Sequence, residues 1–124
     1  MHARLHAIRG ATTVRADNAA EICDATAELL GDISRRNGLS PASVVSVHFT
    51  VTQDLRSEFP ARAARELGWD DVAMLCSSSI PVPGSLPRCI RALVHAYADC
   101  DLDALHHVYL HGARVLRPDL ATRR

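Results

Sequence analysis

The clearest strand in the chain is Val44–Thr50, which reads VVSVHFT. β-Branched and apolar residues fill most of this segment, and such a run predicts a strand buried on both faces. A helix is predicted from Pro60, which fits a first helical turn, to Gly68. A further strand is predicted over Val72–Cys76. This strand–helix–strand order predicts an α/β domain with a partly parallel sheet and helices packed on it.

The N-terminal segments extend the same alternation. Ala3–Ile8 is partly alternating and predicts a first strand. A helix is predicted after Asp17 or Asn18, either of which can cap it, and Asn37-Gly38 ends it because both residues tolerate left-handed backbone angles. Its apolar residues recur at helical spacing: Ile22, Ala25, Leu29, Leu30 and Ile33.

The C-terminal part begins with a loop over Ser77–Gly84, where two prolines disfavour a central strand or a helix. Ser85 is predicted to cap a third helix, with Pro87 in its first turn. The apolar face of this helix would contain Leu86, Ile90, Leu93 and Tyr97. Leu105–His111 predicts a fourth strand, and an irregular tail follows it.

Length and charge narrow the class of protein. The 124 residues predict one domain spanning 1–124. Fourteen basic and 14 acidic residues balance without long blocks, so neither nucleic acid nor an anionic membrane is an expected partner. All the basic residues are arginine, which excludes lysine-nucleophile chemistry. No N-terminal targeting signal or apolar span is present, which predicts a cytoplasmic protein.

No metal site or cofactor is predicted. The four cysteines lack C-x-x-C spacing, so we expect free thiols. His106 and His107 are adjacent in a predicted strand, where neighbouring side chains face opposite ways and cannot hold one ion. His48, and His95 on the predicted third helix, are interpreted as satisfied polar groups rather than bases.

Arginines stand out near the ends of predicted elements. Arg9 ends the first strand, Arg88 and Arg91 open the predicted third helix, and Arg117 lies in the tail. The guanidinium group binds carboxylates through two parallel hydrogen bonds and keeps its charge. No plausible nucleophile, base or metal cluster accompanies these arginines. The pattern predicts a site that binds a small-molecule carboxylate by charge and shape.

Several motifs along the chain together resemble the trimeric α/β class of chorismate mutases. They are Ile8–Thr13 (IRGATT), Thr52–Leu55 (TQDL), Phe59–Leu67 (FPARAAREL), Cys76, Arg88–Arg91 (RCIR), His107–Leu110 (HVYL) and Leu116–Leu120 (LRPDL). The resemblance implies a chorismate mutase-like domain assembling as a barrel-like homotrimer with sites between subunits. It also implies a cofactor-free pericyclic rearrangement of chorismate to prephenate, as in aromatic amino-acid biosynthesis.

The resemblance assigns the catalytic role to two arginines. Arg91 matches the arginine at the ether oxygen of chorismate, where negative charge gathers as the carbon–oxygen bond breaks. Arg9 matches the arginine that grips a substrate carboxylate, and Tyr109 matches a tyrosine that also contacts a carboxylate.

The resemblance also implies a set of substrate-binding residues around these. The second-helix segment of a neighbouring subunit would contribute Phe59, Arg62 and Arg65. Cys76 would line the pocket, and the tail that closes over it would contribute Leu116 and Arg117.

One position departs from the family pattern. The family has a glutamate three residues after the pocket cysteine, bonded to the ring hydroxyl of chorismate; here that residue is Ser79. Three interpretations stay open: a weaker chorismate mutase, an enzyme for another cyclic or unsaturated carboxylic acid, and a non-catalytic ligand-binding module. Because Arg91 should contribute more than the lost hydrogen bond, the mutase interpretation is favoured.

Overall fold

A computed structural model of the chain describes residues 3–121. The strands are β1 (Arg4–Thr13), β2 (Val44–Val51), β3 (Ala73–Ser78), β4 (Cys89–Ala98) and β5 (Val108–Tyr109). The α-helices are α1 (Ala19–Asn37), α2 (Ala61–Glu66) and the short α3 (Pro118–Ala121). Short 3₁₀ segments occupy Pro41–Ser43, Leu102–Ala104 and His111–Val115.

The strands form one mixed sheet in the order β3-β2-β4-β1-β5. β4 is central and pairs antiparallel with both β1 and β2. The two edge strands are paired in parallel with their neighbours: β3 with β2, and β5 with β1. The predicted small α/β domain with a partly parallel sheet is therefore confirmed.

The long helix α1 covers one face of the sheet. Asn18 caps it, since its Oδ1 accepts a hydrogen bond from the Glu21 amide at 3.1 Å, and Gly38 ends it at φ +63°. The core beneath it includes Ile8, Leu29, Leu30, Ile33, Phe49 and Val94, all fully buried. This packing fixes which side chains of each strand point away from the helix.

A close approach between α1 and β1 occurs at Gly10. A Cβ atom added there would lie 2.6 Å from Cδ1 of Ile33 and 3.1 Å from Cδ1 of Leu29. Real Cβ atoms do not come so close to a packed side chain, so glycine lets the helix rest directly on the strand. The neighbouring Arg9 then points to the opposite face, because side chains alternate along a strand.

The predicted third helix was wrong: the segment forms strand β4. Ile90, Leu93 and Tyr97 fit a helical stripe, but the same run also alternates with period two. Its buried residues are Ile90, Ala92, Val94, Ala96 and Ala98. Three of these buried residues are alanines, which give only a weak signal of alternation in the sequence. The segment forms a strand because it pairs with β1 on one side and with β2 on the other. Consequently Arg88-Cys89-Ile90-Arg91 opens a strand, and His95 lies on a strand.

Other boundaries also differ from the prediction. β1 runs on to Thr13, so Arg9 lies inside the strand rather than at its end. β2 is buried on one face only: Val47 and Phe49 are buried, whereas His48 is exposed and Thr50 half-buried on the other face. The predicted fourth strand shrinks to Val108–Tyr109, so His106 and His107 precede it, and the tail contains the 3₁₀ segment and α3.

Candidate active site

The face of the sheet opposite α1, called here the open face, carries the predicted catalytic arginines. Strand register places Arg9 opposite Leu93 and Ala11 opposite Arg91 across the β1–β4 pair. Both arginines are exposed, whereas their strand neighbours Ile8 and Ile90 are fully buried under α1. The antiparallel pairing therefore brings together two cations that are far apart in sequence.

A cleft of about 590 Å³ on the open face, called the arginine cleft, unites half of the predicted site residues. The predicted residues that line it are Arg9, Arg91, Tyr109, Leu116 and Arg117. It is also lined by Gly10, Ala11, His48, Thr50, Ala92 and Leu93. Four strands (β1, β2, β4 and β5) and the tail after the 3₁₀ segment thus contribute to one concave surface.

Positive charge in the arginine cleft is only partly compensated. Within residues 3–121, no carboxylate oxygen lies within 4.0 Å of the Arg9 or Arg91 guanidinium group. Arg117, by contrast, donates two hydrogen bonds to Asp119, at 3.2 and 3.1 Å. No aspartate or glutamate is among the described lining residues. The cleft is therefore suited to an anion and lacks a carboxylate base.

Tyr109 sits among these cations as a neutral phenol. Burial raises its pKa above the usual 10.0, although Arg9, Arg117 and Arg91 oppose the rise. The phenol consequently keeps its proton at physiological pH and can donate a hydrogen bond to an anion.

The Cys89 thiol, packed with Ala11 and Tyr109 in one apolar cluster, is also neutral. Burial raises the pKa of Cys89, and the nearby Arg91 only opposes this. A buried thiol with a raised pKa is a poor nucleophile. Two members of this cluster, Ala11 and Tyr109, also line the arginine cleft.

The start of β4 is held by two side chains of the loop after β2. Arg88 has a left-handed backbone with φ +48°, and the Asp54 carboxylate accepts its amide hydrogen bond at 3.0 and 3.2 Å. The Thr52 hydroxyl accepts the hydrogen bond of the Cys89 amide at 3.0 Å. These contacts fix the strand two to three residues before Arg91. The sequence showed TQDL as a motif but gave no indication of this role.

Two of the predicted residues line a separate cleft of about 280 Å³, called the Phe59 cleft. These are Phe59 and Cys76, at the junction of α2 and β3. Arg62 lies beside this cleft, where its guanidinium group is 2.7 Å from Glu58. This hydrogen bond is the main reason that the pKa of Glu58 is lowered. Arg65 is exposed on α2 and lines neither cleft.

Ser79 lies outside both of these clefts. It lines a third depression of about 220 Å³ together with Asp54 and three residues of the proline-rich loop, Ile80, Pro81 and Val82. Its amide donates to the Val51 carbonyl at 2.8 Å, which continues the β2–β3 pairing beyond the end of β3. Within one chain, Ser79, at the position where the resemblance implies a glutamate, and Arg91 therefore line different depressions.

His48 and Thr50 are cleft residues that the sequence analysis did not identify. The sequence interpretation treated His48 as a satisfied polar group, and its ring does bond Ser77 Oγ, at 2.8 Å. It nevertheless lines the arginine cleft. Knowing that only one face of β2 is buried would have revealed it, because residues 48 and 50 share the exposed face.

The described residues contain no group of three or more His, Cys, Asp and Glu side chains that could hold a metal ion. His107 instead accepts a hydrogen bond from the Arg9 amide through Nδ1, at 2.9 Å, which ties the segment before β5 to β1. No helix among the described residues has the length and hydropathy needed to span a membrane.

Comparison with known proteins places this geometry in a family. The family model for chorismate mutase type I matches residues 5–120. The chain is 49% identical to chorismate mutase AroH of Thermus thermophilus over 114 residues, covering 91% of this chain and 93% of that protein. It is 42% identical to chorismate mutase AroH of Bacillus subtilis over 118 residues, covering 94% and 93%. A solved chorismate mutase from Clostridium thermocellum superposes with a TM-score of 0.87 at 48% identity, covering 89% of this chain and 98% of that one. The chain therefore belongs to the chorismate mutase type I family.

Proposed function

We propose that the arginine cleft is where this chorismate mutase converts chorismate to prephenate. The observation that carries the proposal is a pair of guanidinium groups, Arg9 and Arg91, in one cleft without a carboxylate partner among the described residues. Chorismate has two carboxylates and an ether oxygen, so it matches a cleft rich in hydrogen-bond donors.

The reaction needs little from the protein beyond shape and charge. One carbon–oxygen bond of chorismate breaks and one carbon–carbon bond forms within the same molecule, so no proton, water or electron enters. Holding the substrate in its compact reactive conformer removes an entropic part of the barrier. A fixed cation at the ether oxygen stabilises the charge that develops there.

Arg91 is the residue proposed to face the ether oxygen. It lies on the central strand, close to the backbone contacts of Thr52 and Asp54, so its position is fixed before substrate binds. Arg9, on the neighbouring strand, is proposed to hold a carboxylate together with Tyr109. Leu116 and Arg117 border the cleft from the tail side and would cover the substrate.

The test is chorismate turnover by the purified protein, followed by loss of chorismate absorbance and by product analysis. Arg91→Ala should lower kcat by about 10²–10³-fold, the usual cost of removing one donor to a developing oxyanion. Arg36→Ala, at an exposed arginine near the end of α1, is the matched control and should leave turnover unchanged. Turnover at the uncatalysed rate, or an unaffected Arg91→Ala variant, would contradict the proposal.

We further propose that the complete site forms between copies of the chain in a closed homotrimer. The arginine cleft lacks Phe59, Arg62, Arg65 and Cys76, which lie on a different surface of the same chain. Large apolar side chains also remain exposed on the open face, including Leu5, Leu93 and Tyr97. Contact between two different patches is head-to-tail, and such contacts close into a ring when the rotation between subunits permits it.

Light scattering gives the subunit number, and complementation tests the shared site. Arg91→Ala and Arg65→Ala chains, each with low activity, are co-expressed with different tags and purified as mixed assemblies. If sites are shared, one of the three sites in each mixed trimer combines two intact surfaces, so about a third of the full activity returns. If each chain carries its whole site, no intact site can form and activity stays low.

A further inference from the structure

We propose that His48, oriented by Ser77, is a specificity-determining residue that binds the ring hydroxyl of the substrate. This inference rests on the proposed function, since it assumes that chorismate occupies the arginine cleft. It assigns a contact to a side chain of this cleft beyond the arginines and Tyr109.

Strand register places His48 within reach of the same ligand as the arginines. Leu93 of β4 pairs with His48 of β2 on one side and with Arg9 of β1 on the other. Thr50, two residues along β2, pairs with Arg91. Side chains separated by two residues share a face of the sheet, so the imidazole stands in the cleft alongside both guanidinium groups.

The imidazole offers what the arginines lack. A guanidinium group only donates hydrogen bonds, whereas a neutral imidazole has one donor and one acceptor nitrogen, and a hydroxyl group can use either. Nε2 of His48 is 2.8 Å from Ser77 Oγ, which orients the ring. Within residues 3–121, Nδ1 of His48 has no hydrogen-bond partner and is available to a ligand.

The other side chains of the cleft that could form a hydrogen bond with a ring hydroxyl are less accessible than His48. Tyr109 is buried, and Thr50 is short and half-buried, whereas His48 is exposed and longer. Ser79, which occupies the position of the family glutamate, lies in another depression of this chain. His48 is therefore the polar side chain of the arginine cleft, apart from the arginines, that best fits a ring hydroxyl.

The chain supplies a matched control in His95. This histidine is on the open face too, and its Nδ1 lies 3.4 Å from Ser46 Oγ, so it is also a histidine next to a serine. It belongs to a different row of the sheet, paired with Ala7 and Ser46, and does not line the arginine cleft. A general effect of removing a histidine from this face would appear equally in both variants.

The experiment measures kcat/KM and Kd for chorismate and for the same diacid lacking the ring hydroxyl. His48→Ala should lower kcat/KM for chorismate by roughly 3- to 10-fold, the value of one neutral hydrogen bond, and leave the deoxy analogue unchanged. His48→Gln, which keeps a donor and an acceptor, should recover most of the loss. Ser77→Ala should show a smaller loss with the same substrate dependence, and His95→Ala should show none.

Equal losses on both substrates, or equal effects of His48→Ala and His95→Ala, would overturn the inference. If the proposed function itself is wrong, the result is distinguishable, because the wild-type protein would then not turn over chorismate. If it still binds chorismate, the calorimetric Kd values of the same variants decide the role of His48. If the wild-type protein binds neither diacid, both proposals fall.

Discussion

The arginine cleft and the Phe59 cleft contain cations in opposite states. In the arginine cleft, Arg9 and Arg91 have no carboxylate partner among the described residues, and the walls come from the middle of the sheet. Beside the Phe59 cleft, Arg62 is paired with Glu58 at 2.7 Å, and Phe59 itself is 68% exposed. The first region is prepared for an anion within one chain. The second has an exposed aromatic side chain, which is consistent with the proposal that the two clefts are complementary halves of one site.

The largest effect among the following tests is expected at Arg9, which has no carboxylate partner among the described residues. Arg9→Ala removes a charged hydrogen-bond donor to a substrate carboxylate and should raise KM by roughly 10- to 100-fold. Arg117→Ala should raise KM much less, because the donors of Arg117 are already shared with Asp119. Steady-state kinetics of the two variants give the comparison. Equal effects would show that pairing with a carboxylate does not distinguish the two arginines.

Next in size is the effect of restoring the family glutamate. If Ser79 of one chain faces the arginine cleft of another, Ser79→Glu should improve kcat/KM for chorismate by roughly ten-fold through a charged hydrogen bond. Ser79→Gln is the uncharged control and should gain less. If Ser79→Glu instead impairs the native activity in a correctly assembled protein, the native substrate differs from chorismate at the position of the ring hydroxyl.

A smaller effect is expected at the contacts that hold β4 in place. Asp54→Ala removes the carboxylate that accepts the Arg88 amide hydrogen bond, so Arg91 should be less well positioned and kcat should fall by roughly 3- to 10-fold. KM should change little, because the backbone of Arg9 is also held from the β5 side, by the pairing of β1 with β5 and by the hydrogen bond from its amide to His107. Asp70→Ala, at an exposed position in the turn before β3, serves as a surface control. A loss confined to KM would argue against a positioning role.

The smallest effect is the pH dependence of the Arg62–Glu58 contact. The hydrogen bond from Arg62 lowers the pKa of Glu58 below its usual 4.5. A lowered folded-state pKa means that the contact contributes fully above the unfolded-state value and is lost as pH falls through the folded-state value. The Tm difference between wild type and Glu58→Gln should therefore be constant above about pH 5 and vanish in stronger acid. A difference that changes between pH 6 and 8 would contradict this assignment.

Strong local patterns made α1, β2 and β3 predictable. Asn18, the apolar stripe from Ile22 to Ile33 and Gly38 each leave an unambiguous signal for a helix. β4 was mispredicted because its alternation is carried by alanines, and the deciding interaction is pairing with β1 and β2. Such pairing depends on distant segments, and local sequence does not encode it.

The sequence predicted which residues belong to the candidate site, but not how they are arranged in space. The motifs named Arg9, Arg91 and Tyr109 together, and the sheet does bring these three into one cleft. The separation of Phe59, Cys76 and Ser79 from that cleft follows from tertiary packing, which the sequence does not reveal. His48 was missed because its significance depends on which face of β2 the helix leaves uncovered.

The strand order has a consequence for the kinetics of folding. Arg9, Arg91 and Tyr109 come from opposite ends of the chain and meet only after β1 has paired with β4 and with β5. Pairings between segments so distant in sequence close large loops and form slowly. During refolding, helical circular dichroism from α1 should therefore return well before any capacity to bind a dicarboxylate. The recovery of ligand binding during refolding would therefore report when the sheet is fully formed.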